Sequence, residues 1–255
     1  GWDWCSGYHY SDSIVIGFSH LHLNGTGCSD TGDILFMPYT GKARTQPGTQ
    51  QDPLSGYASY YSKDNERALP GYYEVLLKTH RTKVELTASD RVAFHRYTFP
   101  KDVEKHVMIN LKDANGDDRP TDTYLEQIND TVIRGYRYST GWSKKQQIYF
   151  SAVFSQPVHL TLYHDSVQVA GNRLQGLDVK GNVAVAPVVE ELGVKVGISP
   201  VSMENAMDNI GQEIKDWNFE NIVAETTGKW NAELSKLQVE TTDTVAKRIF
   251  YTALY

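Results

Sequence analysis

Two histidines one residue apart, ahead of a glycine-rich turn, are the residues best placed to do chemistry in this chain. They sit in Gly17-Phe18-Ser19-His20-Leu21-His22-Leu23-Asn24-Gly25-Thr26-Gly27-Cys28, followed by Asp30-Thr31-Gly32-Asp33-Ile34. In a strand, residues two apart share a face. Phe18, His20 and His22 then lie on one side, and Ser19, Leu21 and Leu23 on the other. Such a strand can present imidazoles to a ligand, or hold a structural turn with two hydrogen-bonded histidines. Upstream, Gly1–Tyr10 carries Trp2, Trp4, Tyr8, His9 and Tyr10. Aromatic rings with polar edges suit carbohydrate, because the ring covers the apolar C–H face of a sugar while the edge takes hydroxyls. The alternative is that these aromatics fill the core of a β-sandwich.

Other polar residues carry weaker signals. Asp3, Asp12, Asp30 and Asp33 fit turn-forming and strand-ending roles. Asp113-Ala114-Asn115-Gly116-Asp117-Asp118 has the look of a calcium loop. It departs from one at its sixth position, Asp118 rather than Gly, and its twelfth, Tyr124 rather than Glu, and so reads as a polar hairpin turn. His20 and His22 lack a third zinc ligand at a telling spacing. Cys5 and Cys28, the only cysteines, define no disulfide framework; they can lie side by side, be bonded, or be inert thiols.

These groups need elements to position them. The 255 residues can bury a full core, and the net charge of −6, without a basic run, argues against a general phosphate-backbone binder. Sixteen Tyr and five Trp fit strands and ligand faces better than a helical bundle. No stretch reaches the roughly 18 apolar residues needed to cross a bilayer. Strands are expected at 72–77, 83–87, 91–99, 107–111, 130–138, 146–154, 159–163, 182–188 and 194–198, broken by Pro, Gly, Asn and Asp. The polar loop 46–62 is long enough to be functional or mobile. After Pro200, Ser202, Asn218 and Thr242 each open an apolar spacing of three and four, so three helices are expected. The fold class is therefore mainly β: an antiparallel sandwich over 1–200, then a helical linker over 201–255. The chain opens without Met and stops inside an apolar helix with no C-cap signal, so it reads as a piece of a longer polypeptide.

In order along the chain, Trp2–Tyr8, Gly17–Cys28, Pro70–Val75, Glu85–Arg91, Arg96–Pro100, Gly141-Trp142, Tyr149-Phe150, Ile198–Ser202 and Ile249–Tyr255 resemble the N-terminal domain of glycoside hydrolase family 92. These are calcium-dependent exo-acting α-mannosidases. The resemblance implies a supersandwich-like N-terminal domain, with its first strands before Gly1, a helical linker over 201–255 that leads into the start of the catalytic helical domain, and a C-terminal (α/α) barrel beginning just after Tyr255. It also implies cleavage with inversion, in which one carboxylic acid protonates the leaving oxygen and a carboxylate activates water. The acid, the base and the calcium ligands are expected on the barrel, so no catalytic residue is expected in this chain, and alone it should be inactive. Trp2 or Trp4 is expected to stack on the sugar next to the cleaved mannose, and Cys5, His20 and His22 are the other substrate-binding candidates. The implied partners are a mannose-containing glycan and the barrel of the same protein, without nucleic acid or a membrane span, in the periplasm, secreted or at the cell surface. The competing readings are a free-standing carbohydrate-binding β-sandwich and a sandwich that only braces the barrel.

Overall fold

The computed structural model describes residues 8–21, 32–49, 51–113, 118–141 and 143–255. Sixteen strands precede three helices among them. The first eight strands are β1 (Ile14–Val15), β2 (Leu35–Thr40), β3 (Ser59–Tyr60), β4 (Glu66–Leu69), β5 (Tyr72–Leu77), β6 (Thr82–Ala88), β7 (Val92–Thr98) and β8 (Lys105–Asn110). The second eight are β9 (Arg119–Asn129), β10 (Val132–Thr140), β11 (Gln146–Phe154), β12 (Val158–His164), β13 (Val167–Val169), β14 (Arg173–Gly176), β15 (Val179–Val185) and β16 (Glu191–Ser199). The helices are α1 (Met203–Glu213), α2 (Phe219–Leu234) and α3 (Thr244–Leu254).

The chain is the antiparallel sandwich its alternation predicts. One sheet runs β14-β9-β10-β11-β16-β7-β6-β5-β4, the other β13-β12-β15-β8-β2, and β1 pairs with β3 apart from both. Between the two large sheets lies one apolar core that includes Phe36, Val107, Ile109, Leu125, Phe150, Leu162 and Val183. Phe36 of β2 meets Phe150 of β11 edge to face, 6.1 Å between ring centres, which joins the sheets. Burying each such side chain is worth about 1.5–3 kcal/mol.

Loop 46–62 is a strap rather than a free loop. Buried Lys180 donates to the Thr45 carbonyl and to Gln46 Oε1, both at 3.0 Å, and Asn110 Nδ2 donates to the Tyr57 hydroxyl at 2.9 Å. The strap therefore covers polar residues on the outer face of the five-stranded sheet, and Tyr57 and Ala58 are buried under it.

The first two helices cover the outer face of the nine-stranded sheet. Ser202 caps α1 by accepting from the Asn205 N–H, and Asn218 caps α2 through Asn221. The third cap is Asp243, not Thr242: its carboxylate accepts from the Val245 and Ala246 N–H groups. A carboxylate one residue later reaches two orphan donors and also favours the helix dipole. Val92 and Phe94 of β7 pack with Ile210, Ile214, Phe219 and Ile222 in a second apolar cluster.

Most of the segment read as a polar hairpin turn, residues 114–117, lies outside the described residues, but the strands on either side of it do not pair with each other. The strand before it, β8, pairs with β15 and β2, and the strand after it, β9, pairs with β10 and β14, so the connection crosses between sheets. The carboxylate of Asp118 is buried, which a solvated turn would not require.

Candidate functional site

Residues 18–21 lie antiparallel to 33–36. Phe18 and Phe36 exchange backbone hydrogen bonds at 2.9 and 3.0 Å, and His20 and Leu21 both bond Asp33 at 3.2 Å. Phe18 and His20 share a face, as period two requires, and that face turns into the protein. Phe18 meets Tyr73, and the His20 ring lies almost parallel to His95 of β7, 4.9 Å between centres.

The hydrogen bonds of this pair fix its protons. His20 Nδ1 lies 2.7 Å from the Ile34 carbonyl, which can only accept, so Nδ1 carries the hydrogen and His20 Nε2 accepts. His95 Nε2, 3.1 Å away, is then the donor. His95 Nδ1 accepts in turn from the Tyr97 hydroxyl at 2.6 Å. Every site on both rings is used with both imidazoles neutral. Burial pushes His20 down to about 4 and His95 well below the usual range, which agrees with that assignment.

A second buried group lies where several strands begin or end. The Arg137 guanidinium of β10 is fully buried, as are its partners Asp33 and Asp118. Nη1 donates to Asp33 Oδ1 and, at 2.5 Å, to Asp118 Oδ2, while Nε donates to the Leu111 carbonyl at 2.9 Å. Gln146 Nε2 donates to the other oxygen of Asp33. Arg137 Nη2 and Asp118 Oδ1 have no partner among the described residues. Burial pushes the Asp33 carboxyl above its usual range, against the pull of Arg137.

A cleft of about 660 Å³ opens between segment 18–19, the β6–β7 turn and the second half of α2. Tyr72, Tyr73, His95, Trp230 and Tyr255 contribute to its walls, with Asp90 and Lys229 paired at its edge at 3.1 Å. Aromatic walls with a few polar groups are what a sugar or a packed side chain needs.

Of the candidates named from sequence, Trp2, Trp4, Cys5 and His22 lie outside the described residues, as does Cys28. His20 is described, and both its ring nitrogens are engaged by protein partners. Arg137, His95 and Gln146 were not among the candidates. The signal for Arg137 was available: it stands on the inward parity of β10, with Ile133 and Gly135, while Arg134, Tyr136 and Tyr138 face outward.

Among the described residues, no group of three or more His, Cys, Asp or Glu side chains stands close enough to hold a metal. The buried pair Asp33 and Asp118 is committed to a guanidinium, so these residues do not fit a calcium ion.

Comparison with known proteins covers the whole chain. The family model for the glycosyl hydrolase family 92 N-terminal domain matches residues 1–199, and that for the glycosyl hydrolase family 92 catalytic domain matches residues 205–255. The chain is 33% identical to a family GH92 α-mannosidase from Bacteroides thetaiotaomicron, covering 100% of this chain and 35% of that one, with a TM-score of 0.94. That enzyme has also been solved in complex with mannoimidazole. A second GH92 family glycosyl hydrolase is 27% identical over 99% of this chain and 35% of its own, with a TM-score of 0.87. An uncharacterised secreted glycosidase of Arthroderma benhamiae is 23% identical, over 98% of this chain and 36% of its own length. The chain thus spans about a third of the length of these relatives.

Proposed function

Because the chain belongs to glycoside hydrolase family 92, we propose that it is the N-terminal part of an inverting exo-α-mannosidase that trims mannose-rich glycans, and that it forms one side of the substrate pocket. The observation that carries this reading is the 33% identity, along the entire chain, to an α-mannosidase. The match of residues 205–255 to the catalytic-domain model favours an enzyme over a free-standing binding module.

Inversion needs two carboxyl groups roughly 6.5–9.5 Å apart, one protonated and one ionised, with water between. Asp33 and Asp118 do not offer that arrangement, since one guanidinium nitrogen bridges them. As membership of the family implies, we place the acid, the base and any calcium on a C-terminal (α/α) barrel, and binding on this domain. Trp2 or Trp4 covers the sugar next to the cleaved mannose, Cys5 and His22 belong to the same edge, and His20 holds the strand that leads to it. Placement outside the cytoplasm, secreted or periplasmic, is supported by the secreted fungal relative.

The test is hydrolysis of α-mannosides by the full-length protein, with NMR of the newly released sugar. The expected outcome is β-mannose as first product, none from residues 1–255 alone, and a loss of kcat/KM worth about 1–3 kcal/mol on truncating the stacking tryptophan, Trp2 or Trp4, to Ala. A full-length protein that cleaves no α-mannoside would refute the reading.

A further inference from the structure

The strap over the five-stranded sheet is tied down at both ends through histidines. At its first end the Arg44 N–H donates to the Tyr39 hydroxyl at 3.0 Å, and that hydroxyl donates to Asn182 Oδ1 at 2.7 Å. Asn182 Nδ2 in turn donates to His106 Nδ1 at 3.1 Å. At the other end, His80 Nε2 lies 2.9 Å from the Tyr57 carbonyl and 3.2 Å from that of Ala58, so Nε2 carries the hydrogen. His80 Nδ1 is then the acceptor, and the Thr40 N–H donates to it at 3.3 Å. Both sets of bonds need a neutral imidazole whose Nδ1 can accept.

The two ends are also tied to each other. The Tyr57 and Ala58 N–H groups donate to the Gln46 and Pro47 carbonyls, both at 3.0 Å, and Arg44 Nη1 donates to the Ser55 carbonyl at 2.7 Å. A Cβ on Gly56 would run into the backbone of Pro47 and Gly48, so no side chain separates them. Tyr57 reaches the core, but the layer beneath the ends is largely polar: Tyr39, His106, Asn110, Lys180 and Asn182 are all buried there.

A proton has no favourable place in this layer. On His80 the new N–H would face the Thr40 N–H, and the charge acting on that ring is Arg44, which repels it. On His106 it would face the Asn182 amide. Turning that amide over leaves the Tyr39 hydroxyl only the Arg44 carbonyl, at 3.3 Å, for its own hydrogen. Glu104 attracts a charge on His106, but burial outweighs it, and burial holds both rings below the ordinary 6.5. The nearby lysines are engaged elsewhere, Lys180 beside Asp113 and Asp165 at 3.6 and 3.7 Å and Lys105 on the Pro187 carbonyl.

We propose that the strap is an acid-released clasp: protons on His80 and His106 undo its ties to the five-stranded sheet, and it lifts while the two large sheets stay paired. The contribution of the two rings is complete above pH 6.5 and falls as the pH drops below it. His20, which titrates near 4, is still neutral at pH 5, so the clasp opens before the sandwich core is stressed.

Hydrogen exchange of the full-length protein at pH 7.5 and pH 5, with labelling times scaled for the pH dependence of intrinsic exchange, tests this. Peptides covering 40–48 and 53–58 should exchange at least about tenfold faster at pH 5, with β10, β11, β12 and β15 unchanged. The double variant His80→Gln, His106→Asn keeps a donor in place of His80 Nε2 and an acceptor in place of His106 Nδ1, and neither amide takes up a proton in this range. Its strap should show no acid response. Should the double variant fail to fold, His106→Asn alone decides, with a smaller acid response at 40–48 than the wild type. Strap peptides that ignore pH, an acid response that survives undiminished in the variants, or exchange that rises equally through both sheets would overturn the inference.

Discussion

At the scale of single residues, the His20–His95–Tyr97 chain makes the domain sensitive to acid. A proton on either imidazole turns its accepting nitrogen into a donor. On His20 this costs the bond between the two Nε2 atoms, on His95 it opposes the hydrogen that Tyr97 donates to Nδ1, and either way a charge is left in a poorly solvated place. His20 titrates near 4 in the folded protein against an ordinary value of 6.5. Between those limits the unfolded chain binds a proton that the folded one refuses. The stability this ring contributes is therefore complete above pH 6.5, falls as the pH drops, and is gone once the pH passes below 4. The loss is on the order of 3 kcal/mol, at about 1.4 kcal/mol per pKa unit. Asp33, raised by burial, works in the opposite sense and favours the folded state in acid. The contribution of His20 is thus read as a difference: urea midpoints from pH 7 to 4.5 should fall less in His20→Gln than in the wild type. Parallel curves would mean that this ring does not titrate in that window.

At the scale of elements, the linker is built into the sheet it crosses. A Cβ placed on Gly197 of β16 would lie 2.1 Å from the Ala206 carbonyl and 2.8 Å from Ile210 Cγ1, so α1 rests directly on the strand's backbone. Gly197→Ala should therefore lift α1 and cost about 1–3 kcal/mol. Gly211, on the exposed side of the same helix, has nothing within 4 Å of such a carbon, and Gly211→Ala should gain about 0.5–1 kcal/mol. Thermal melts of the two variants should move in opposite directions; if Gly197→Ala melts with the wild type, α1 is not seated as described. Arg96 locks the next helix by pairing with both oxygens of Glu85 and reaching Glu220 at 2.5 Å. Much of this was legible in the sequence. The apolar and aromatic run of β11 marks its limits, Gln146–Phe154, and Ser202 and Asn218 announce their helices. Seven strands, β1–β4, β9, β13 and β14, escaped, two of them for physical reasons. Pro38 interrupts β2, which tolerates it as an edge strand, and β9 buries only Thr123 and Leu125 among polar residues. The Arg137 cluster escaped because its members are joined across 19 and 104 positions of sequence, and local pattern does not encode such partners.

At the scale of the whole molecule, the helices differ in how far they belong to the sandwich. Ala206, Asn209 and Ile210 of α1 are buried, and α2 buries Phe219 and Ile222 in its first half. Beyond that point α2 is held at its edge, by Thr226 and Thr227 donating to the Ala88 and Pro70 carbonyls. No residue of α3 is buried, and Val245 and Ile249 are 65% and 64% exposed. Its described ties to the rest are a tilted contact of Tyr255 with Trp230, at 4.5 Å, and a 3.3 Å hydrogen bond from Tyr251 to the Leu237 carbonyl. An amphipathic helix with an uncovered apolar stripe gives little to the stability of the body beside it. Deleting residues 241–255 should accordingly cost less than about 1 kcal/mol, read as a shift of a few degrees at most in the melting temperature. Deleting 203–255 should cost far more, because Val92 and Phe94 would then face water on the nine-stranded sheet. The contrast separates two kinds of linker. If the shorter deletion unfolds the sandwich, α3 is part of its core after all; if it does not, the apolar stripe of α3 is surface kept for another partner, and in the proposed enzyme that partner is the catalytic barrel.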